Sequence, residues 1–119
     1  MRKILITGGA NGLGYLLSDH FANQGAHVTV LDLEKNGLLT NEDTMTYIRF
    51  DLAQFDENLL KSLRDPFDVV VCNAGISVSG KFTEIPHTKE KDVFEVNLFG
   101  HMQLIKFLLK NHLVKARHS

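Results

Sequence analysis

Eight residues constrain this chain more than any others: Thr7-Gly8-Gly9-Ala10-Asn11-Gly12-Leu13-Gly14. They follow an apolar run, Lys3 to Thr7. They lead into a segment of helical period, where Leu13, Leu16, Leu17 and Phe21 recur at i, i+3, i+4 and i+8. A strand that turns sharply into a helix directs the helix's first backbone N–H groups out of the turn, where the dipole favours an anion. A Cβ there blocks the approach of a phosphate, so Gly8, Gly12 and Gly14 suit a phosphate cradle, with Asn11 and Leu13 between them. The alternative is a plain structural turn, which glycines also make. A P-loop does not fit, because Tyr15 follows Gly14 where a Lys-Ser or Lys-Thr pair is needed.

The rest of the chain alternates short apolar runs with helix-period segments, the pattern of a parallel α/β sheet. The first helix ends near Gly25. Strands are expected at His27 to Asp32, Met45 to Phe50 and Phe67 to Cys72. Val69-Val70-Val71 is apolar without alternation, which suits a strand covered on both faces. Glu34 to Asp43 reads as a loop with room for a short helix, around Asn36-Gly37. A helix using Phe55, Leu59, Leu60 and Leu63 is expected before Asp65-Pro66, because a proline disfavours helical geometry in the residue before it. Ile76 to His87 reads as a loop, and the segment from about Lys89 to Lys115 as one long helix.

Asp32 closes the second strand. In a dinucleotide fold a carboxylate at this point accepts hydrogen bonds from the adenosine ribose hydroxyls and repels a 2′-phosphate. Neither Leu33 nor Asn11 offers a compensating positive charge, so these residues favour NADH over NADPH. The plainer alternative is a strand-end aspartate that makes a turn.

Charge and composition narrow the class. Thirteen Lys and Arg against fourteen Asp and Glu give a formal net charge of −1, which argues against a general nucleic-acid binder. One cysteine, Cys72, excludes an internal disulfide framework and suits a reducing compartment. The apolar run at the N-terminus is too short for a signal-peptide core, and no stretch approaches the roughly 20 apolar residues of a membrane span. The expectation is a cytoplasmic protein. Six histidines show no spacing convincing for zinc.

Four segments together resemble the classical short-chain dehydrogenase/reductase superfamily. Thr7 to Gly14 fits its T-G-x-x-x-G-x-G loop. Phe50-Asp51-Leu52 is similar to its third-strand aspartate, Cys72-Asn73-Ala74-Gly75 to its N-N-A-G signature, and Glu95-Val96-Asn97-Leu98-Phe99-Gly100 to the helix that carries its catalytic asparagine. The resemblance implies that Asp51 and Leu52 meet the adenine, that Asn73 ties the sheet together, and that Ala74, Gly75 and Ile76 border the nicotinamide side. It implies a catalytic role for Asn97. The fold expected is a Rossmann-type doubly wound parallel sheet, strand order 3-2-1-4, with helices on both faces and residues 1–119 as a single dinucleotide-binding domain. The family's catalytic Ser and its Tyr-x-x-x-Lys find no match in these 119 residues: Tyr15 is followed four positions later by Asp19, and Tyr47 by Asp51.

Three functions follow as expectations. One is an NAD(H)-dependent oxidoreductase, shortened or completed by a partner chain. The second is a module that holds or senses NAD(H) without turnover, and the third a remnant without cofactor function. His101, one turn beyond Asn97, is either a proton donor or a partly buried helix histidine. Cys72 reads as a small packed residue, and Ser77 and Ser79 as loop serines. Leu104, Ile105, Phe107, Leu108 and Leu109 make the last helix apolar over more than one stripe, and the fourth strand lies at a sheet edge. Both features point to a homodimer through that helix.

Overall fold

The computed structural model describes residues 1–35, 43–74, 88, 91 and 95–115. Four parallel strands form its sheet: β1 (Lys3–Thr7), β2 (His27–Asp32), β3 (Met45–Arg49) and β4 (Val69–Cys72), in the order β3-β2-β1-β4. Helix α1 (Gly12–Asn23) links β1 to β2. A π-helical segment, Glu95–Gly100, runs into α2 (His101–Lys110) after β4. The strand order switches at β1, with β2 and β3 added on one side of it and β4 on the other, and this switch opens a crevice at the carboxyl ends of β1 and β4. This is the Rossmann-type order expected from the sequence.

Strand alternation divides the core in two. Ile4, Ile6, Val28 and Val30 pack with Ala10, Ala26 and Met45 on the α1 face of the sheet. Leu5 and Leu31 pack with Phe50, Leu52, Leu60, Phe67, Leu104 and Leu108 on the α2 face. Because both faces are covered, apolar residues run consecutively through the middle of β1, and Ile4, Leu5 and Ile6 are fully buried.

Three expectations are corrected. Helix α1 buries only part of its apolar row: Leu17 and Phe21 pack half-buried against the core, but Leu13 and Leu16 are 65% and 63% exposed, and Gly14 and Ser18 are the fully buried positions. Small residues win that face because the helix crosses close to the glycine turn, where the Ser18 hydroxyl reaches the Gly9 and Gly14 carbonyls. The segment after β3 forms only one 3₁₀ turn, Glu57–Leu60, capped by Asp56 accepting from the Asn58 amide. Of its apolar residues Leu60 is buried, whereas Leu59 is 46% exposed.

The last helix stops at Lys110 rather than Lys115. His112 takes a left-handed conformation (φ 56°), its amide donates to the Leu109 carbonyl, and the Leu113 amide donates to the Leu108 carbonyl. That is a Schellman motif, sealed by Leu113 entering the core beside Leu108. Val114 then pairs in parallel with Phe67, and Lys115 forms an ion pair with Asp68. The edge beside the fourth strand is therefore occupied at its start by residues expected to be helical. The loop expected over Ile76 to His87 lies outside the described residues, as do Asn36-Gly37 and Lys89. No described helix is long and apolar enough to cross a membrane.

Candidate functional site

The glycine turn between β1 and α1 is built from glycines with different reasons to be there. Gly8 has a φ of +69°, and a Cβ on it would lie 2.8 Å from the Ala74 Cα. A Cβ on Gly14 would lie 2.0 Å from the Gly8 carbonyl oxygen. Both are fixed by close packing of the turn against itself and against the end of β4. Gly12 differs: its φ is +51°, and a Cβ there would meet no described atom within 4 Å. Asn11 stands at the N-cap of α1 in extended conformation without a side-chain bond to the helix, and the first turn holds no acidic residue. The leading amides of α1 thus have no intrahelical partner and form the positive end of the helix dipole, a setting that favours an anion.

Beside this turn lies a cleft of about 270 Å³, at the carboxyl ends of the strands. Gly8, Asn11, Gly12, Asp32, Leu33, Asp51, Leu52, Asn73 and Ala74 line it, so most of the residues singled out from sequence come together here. Leu31 and Phe50 line it too. Neither carries a role read from sequence, Phe50 standing there only as the first residue of the Phe50-Asp51-Leu52 segment; their signal is position, each directly preceding an aspartate of the cleft. Leu13 and Gly14 do not line the cleft: Leu13 is exposed and Gly14 is buried behind the turn. Gly75 and Ile76 lie outside the described residues. Asn97 sits in the π-helical segment, exposed and away from the cleft lining.

Hydrogen bonds hold the walls. The Asp32 carboxylate accepts the Ala10 amide at 3.0 Å on one oxygen and the Leu33 amide at 2.7 Å on the other. This fixes the carboxylate against the glycine turn, yet each oxygen keeps a lone pair. Asp51 accepts from the Ala53 amide at 2.9 Å, an Asx turn that brings Leu52 inward. Asn73 donates through Nδ2 to the Gly8 carbonyl at 3.3 Å, and the Asn73 and Ala74 amides donate to the Thr7 hydroxyl at 3.0 and 2.9 Å. The end of β4 is thereby tied to the end of β1. Among the described residues lining the cleft, Asp32 and Asp51 are the charged groups and neither Lys nor Arg is present.

Other candidates fall away from this cleft. Cys72 is exposed rather than packed, and partial burial pushes its thiol up, away from the reactive thiolate. His101 is buried in the interior. No group of three or more His, Cys, Asp or Glu suited to a metal ion occurs among the described residues.

Comparison with known proteins agrees with this architecture. The chain is 31% identical to 1-deoxy-11-beta-hydroxypentalenate dehydrogenase of Streptomyces arenae, over 98% of this chain and 46% of that protein. It is 30% identical to 5-keto-D-gluconate 5-reductase of Escherichia coli K12, over 98% of this chain and 50% of that protein. A crystal structure of a 3-oxoacyl-(acyl-carrier protein) reductase from Brucella melitensis with bound NAD superposes with a TM-score of 0.79 at 30% identity, over 92% of this chain and 47% of that one. The chain spans about half the length of the curated relatives it matches. The pattern of the short chain dehydrogenase family matches residues 2–119. With the glycine turn, the strand-end aspartate and the strand order it accompanies, that match makes the chain a member of the short chain dehydrogenase family.

Proposed function

We propose that the cleft binds a nicotinamide dinucleotide, NAD(H) in preference to NADP(H), and that residues 1–119 are the dinucleotide-binding domain of a cytoplasmic oxidoreductase acting between alcohols and carbonyls. The observation that carries this reading is Gly12. Its φ of +51° favours a glycine, but packing does not demand one, since a Cβ would meet no described atom within 4 Å, and Gly12 leaves open the part of the cleft next to the N-terminus of α1. Space at that point suits a pyrophosphate on the helix amides. Gly8, Asn11 and Gly12 would form the cradle, with Gly14 packing the turn from behind; Asp32 would accept the ribose hydroxyls, and Asp51 and Leu52 would flank the adenine. Asn73, Ala74, Gly75 and Ile76 would border the nicotinamide side.

The residues present fit such a group. Asp32 is held by two amides with lone pairs to spare, and the lining holds no cation to receive a 2′-phosphate. When bound, the nicotinamide supplies or accepts a hydride. This chain's part is to bind the dinucleotide, to orient it through the turn at Asn73, and to present Asn97 on the helix beyond. Calorimetric titration with NADH and NADPH tests the reading. NADH should bind at least several-fold tighter; equal affinities, or no binding of either, would overturn it.

A homodimer belongs to the same proposal. Leu98, Met102, Ile105 and Leu109 recur along one side of the last helix, and each is more than 40% exposed. Such a stripe suits a two-fold partner presenting the same helix.

A further inference from the structure

Thr7 and His101 stand 94 residues apart in sequence and meet in the interior between β1 and α2. Thr7 is 0% exposed and His101 7%, and Thr7 Oγ1 lies 2.8 Å from His101 Nε2. The same hydroxyl oxygen accepts the Asn73 and Ala74 amides. A hydroxyl has one proton and two lone pairs. The two amides take both lone pairs, so the Thr7 proton goes to Nε2, and Nε2 is the acceptor. The proton of the ring therefore sits on Nδ1, which lies 3.3 Å from the Asn97 carbonyl oxygen and donates to it. Hydrogen bonds thus run in one direction, from the turn after β4, through Thr7 and the imidazole, to the peptide of Asn97. That peptide lies in the π-helical segment, a departure from α-helical pairing of the kind that recurs at functional sites.

We propose that His101 is a positioning residue, which ties the Asn73–Ala74 turn to the Asn97 peptide so that the two are held as one unit. Its relevance to cofactor binding rests on the reading that this turn borders the dinucleotide; the linkage itself does not. Imidazole suits the task because it accepts on one side of a rigid ring and donates on the other. A leucine would fill the space and make neither bond.

Nitrogen NMR of the chain labelled with ¹⁵N-histidine gives the first test. The His101 ring should carry its proton on Nδ1 and none on Nε2; a proton on Nε2 overturns the proposal. Thr7→Val should then shift the ring nitrogens together with the backbone amides of Asn97 and Leu98, and Thr7→Ser should restore them. Unmoved Asn97 and Leu98 signals in a folded Thr7→Val variant overturn it.

Should Thr7→Val fail to fold, two substitutions at 101 divide the unit. Asn at 101 should keep the Asn97 arm alone, as Asn111 already donates to the carbonyl four residues back at 2.8 Å. The longer Gln should keep the Thr7 arm alone. The Asn73 and Ala74 amides should move in His101→Asn and the Asn97 and Leu98 amides in His101→Gln, and His101→Leu should move both sets. A His101→Leu variant that moves neither set refutes the linkage. With NADH added, His101→Leu should bind about fivefold more weakly, the loss of roughly one buried hydrogen bond. A wild type that does not bind NADH refutes the cofactor reading alone, and the ring and amide signals still decide this one.

Discussion

At the scale of single residues, the glycines of the turn separate binding from folding. Gly14 leaves 2.0 Å between an added Cβ and the Gly8 carbonyl oxygen, so Gly14→Ala must push backbone against backbone. We expect it to cost about 3 kcal/mol, the upper end of what overpacking costs, read as a lowered urea midpoint. Gly12→Val meets open space instead and bears only the strain of a left-handed φ, of order 1–2 kcal/mol. That variant should keep its circular dichroism and lose the NADH titration signal; retained affinity would make the turn purely structural. Asp32→Ser with Leu33→Arg exchanges a carboxylate for a phosphate partner, and should narrow or reverse the preference for NADH over NADPH. These residues were legible in sequence because each answers to a local demand: a positive φ, an open amide, a charge at a strand end. Leu31 and Phe50 were not, since nothing in an apolar residue says which cleft it floors.

Single elements show where local pattern yields to packing. The apolar spacing in Phe55, Leu59, Leu60 and Leu63 suits a helix, yet one 3₁₀ turn forms. The Asx turn at Asp51 and the cap at Asp56 consume the start of that segment, and Asp65-Pro66 closes it soon after. At the far end, no glycine or proline marks the stop of α2, because His112 takes the left-handed position that glycine usually fills. His112→Gly removes that strain and should raise stability by up to ~1 kcal/mol, measured as a higher urea midpoint. The extended segment that follows is secured by Asp68. Its carboxylate accepts the Lys3 amide at 2.7 Å and pairs with the Lys115 ammonium at 2.9 Å. These bonds hold the carboxyl below its usual range. A group depressed in the folded state stabilises fully above its unfolded value, about 4, and loses that contribution as pH falls through the lowered one. Asp68→Asn should therefore lower stability near neutral pH and flatten its decline in acid, which urea unfolding followed as a function of pH will read.

At the scale of the whole molecule, the sheet uses its two faces unequally. Helix α2 sends Leu104 and Leu108 into the core and turns Ile105 and Leu109 outward, at 41% and 59% exposure. A charge at Leu108 would destroy the core, so the interface is probed by Ile105→Asp with Leu109→Lys. Light scattering should report twice the chain mass for the wild type and the single mass for this variant. A wild type that runs as a monomer at micromolar concentration refutes the dimer, and a variant that keeps the dimer mass moves the interface elsewhere. In sequence this helix was an excess of apolar residues without an orientation; only docking against the sheet divided it into an inner and an outer row.

The sequence by itself determined the strands, their parallel sense and the glycine turn. Those follow from alternation of apolar runs with helical period, from Gly8, Gly12 and Gly14 between a strand and a helix, and from Asp32 at a strand end. Each is a short-range constraint that a few neighbouring residues state in full. The tertiary structure decided which face each helix buries, where α2 stops, and that Val114 returns to pair with Phe67. It alone brought Thr7 against His101, across 94 residues. A buried hydroxyl must find partners wherever the fold supplies them, and no spacing along a chain records which distant ring will be there.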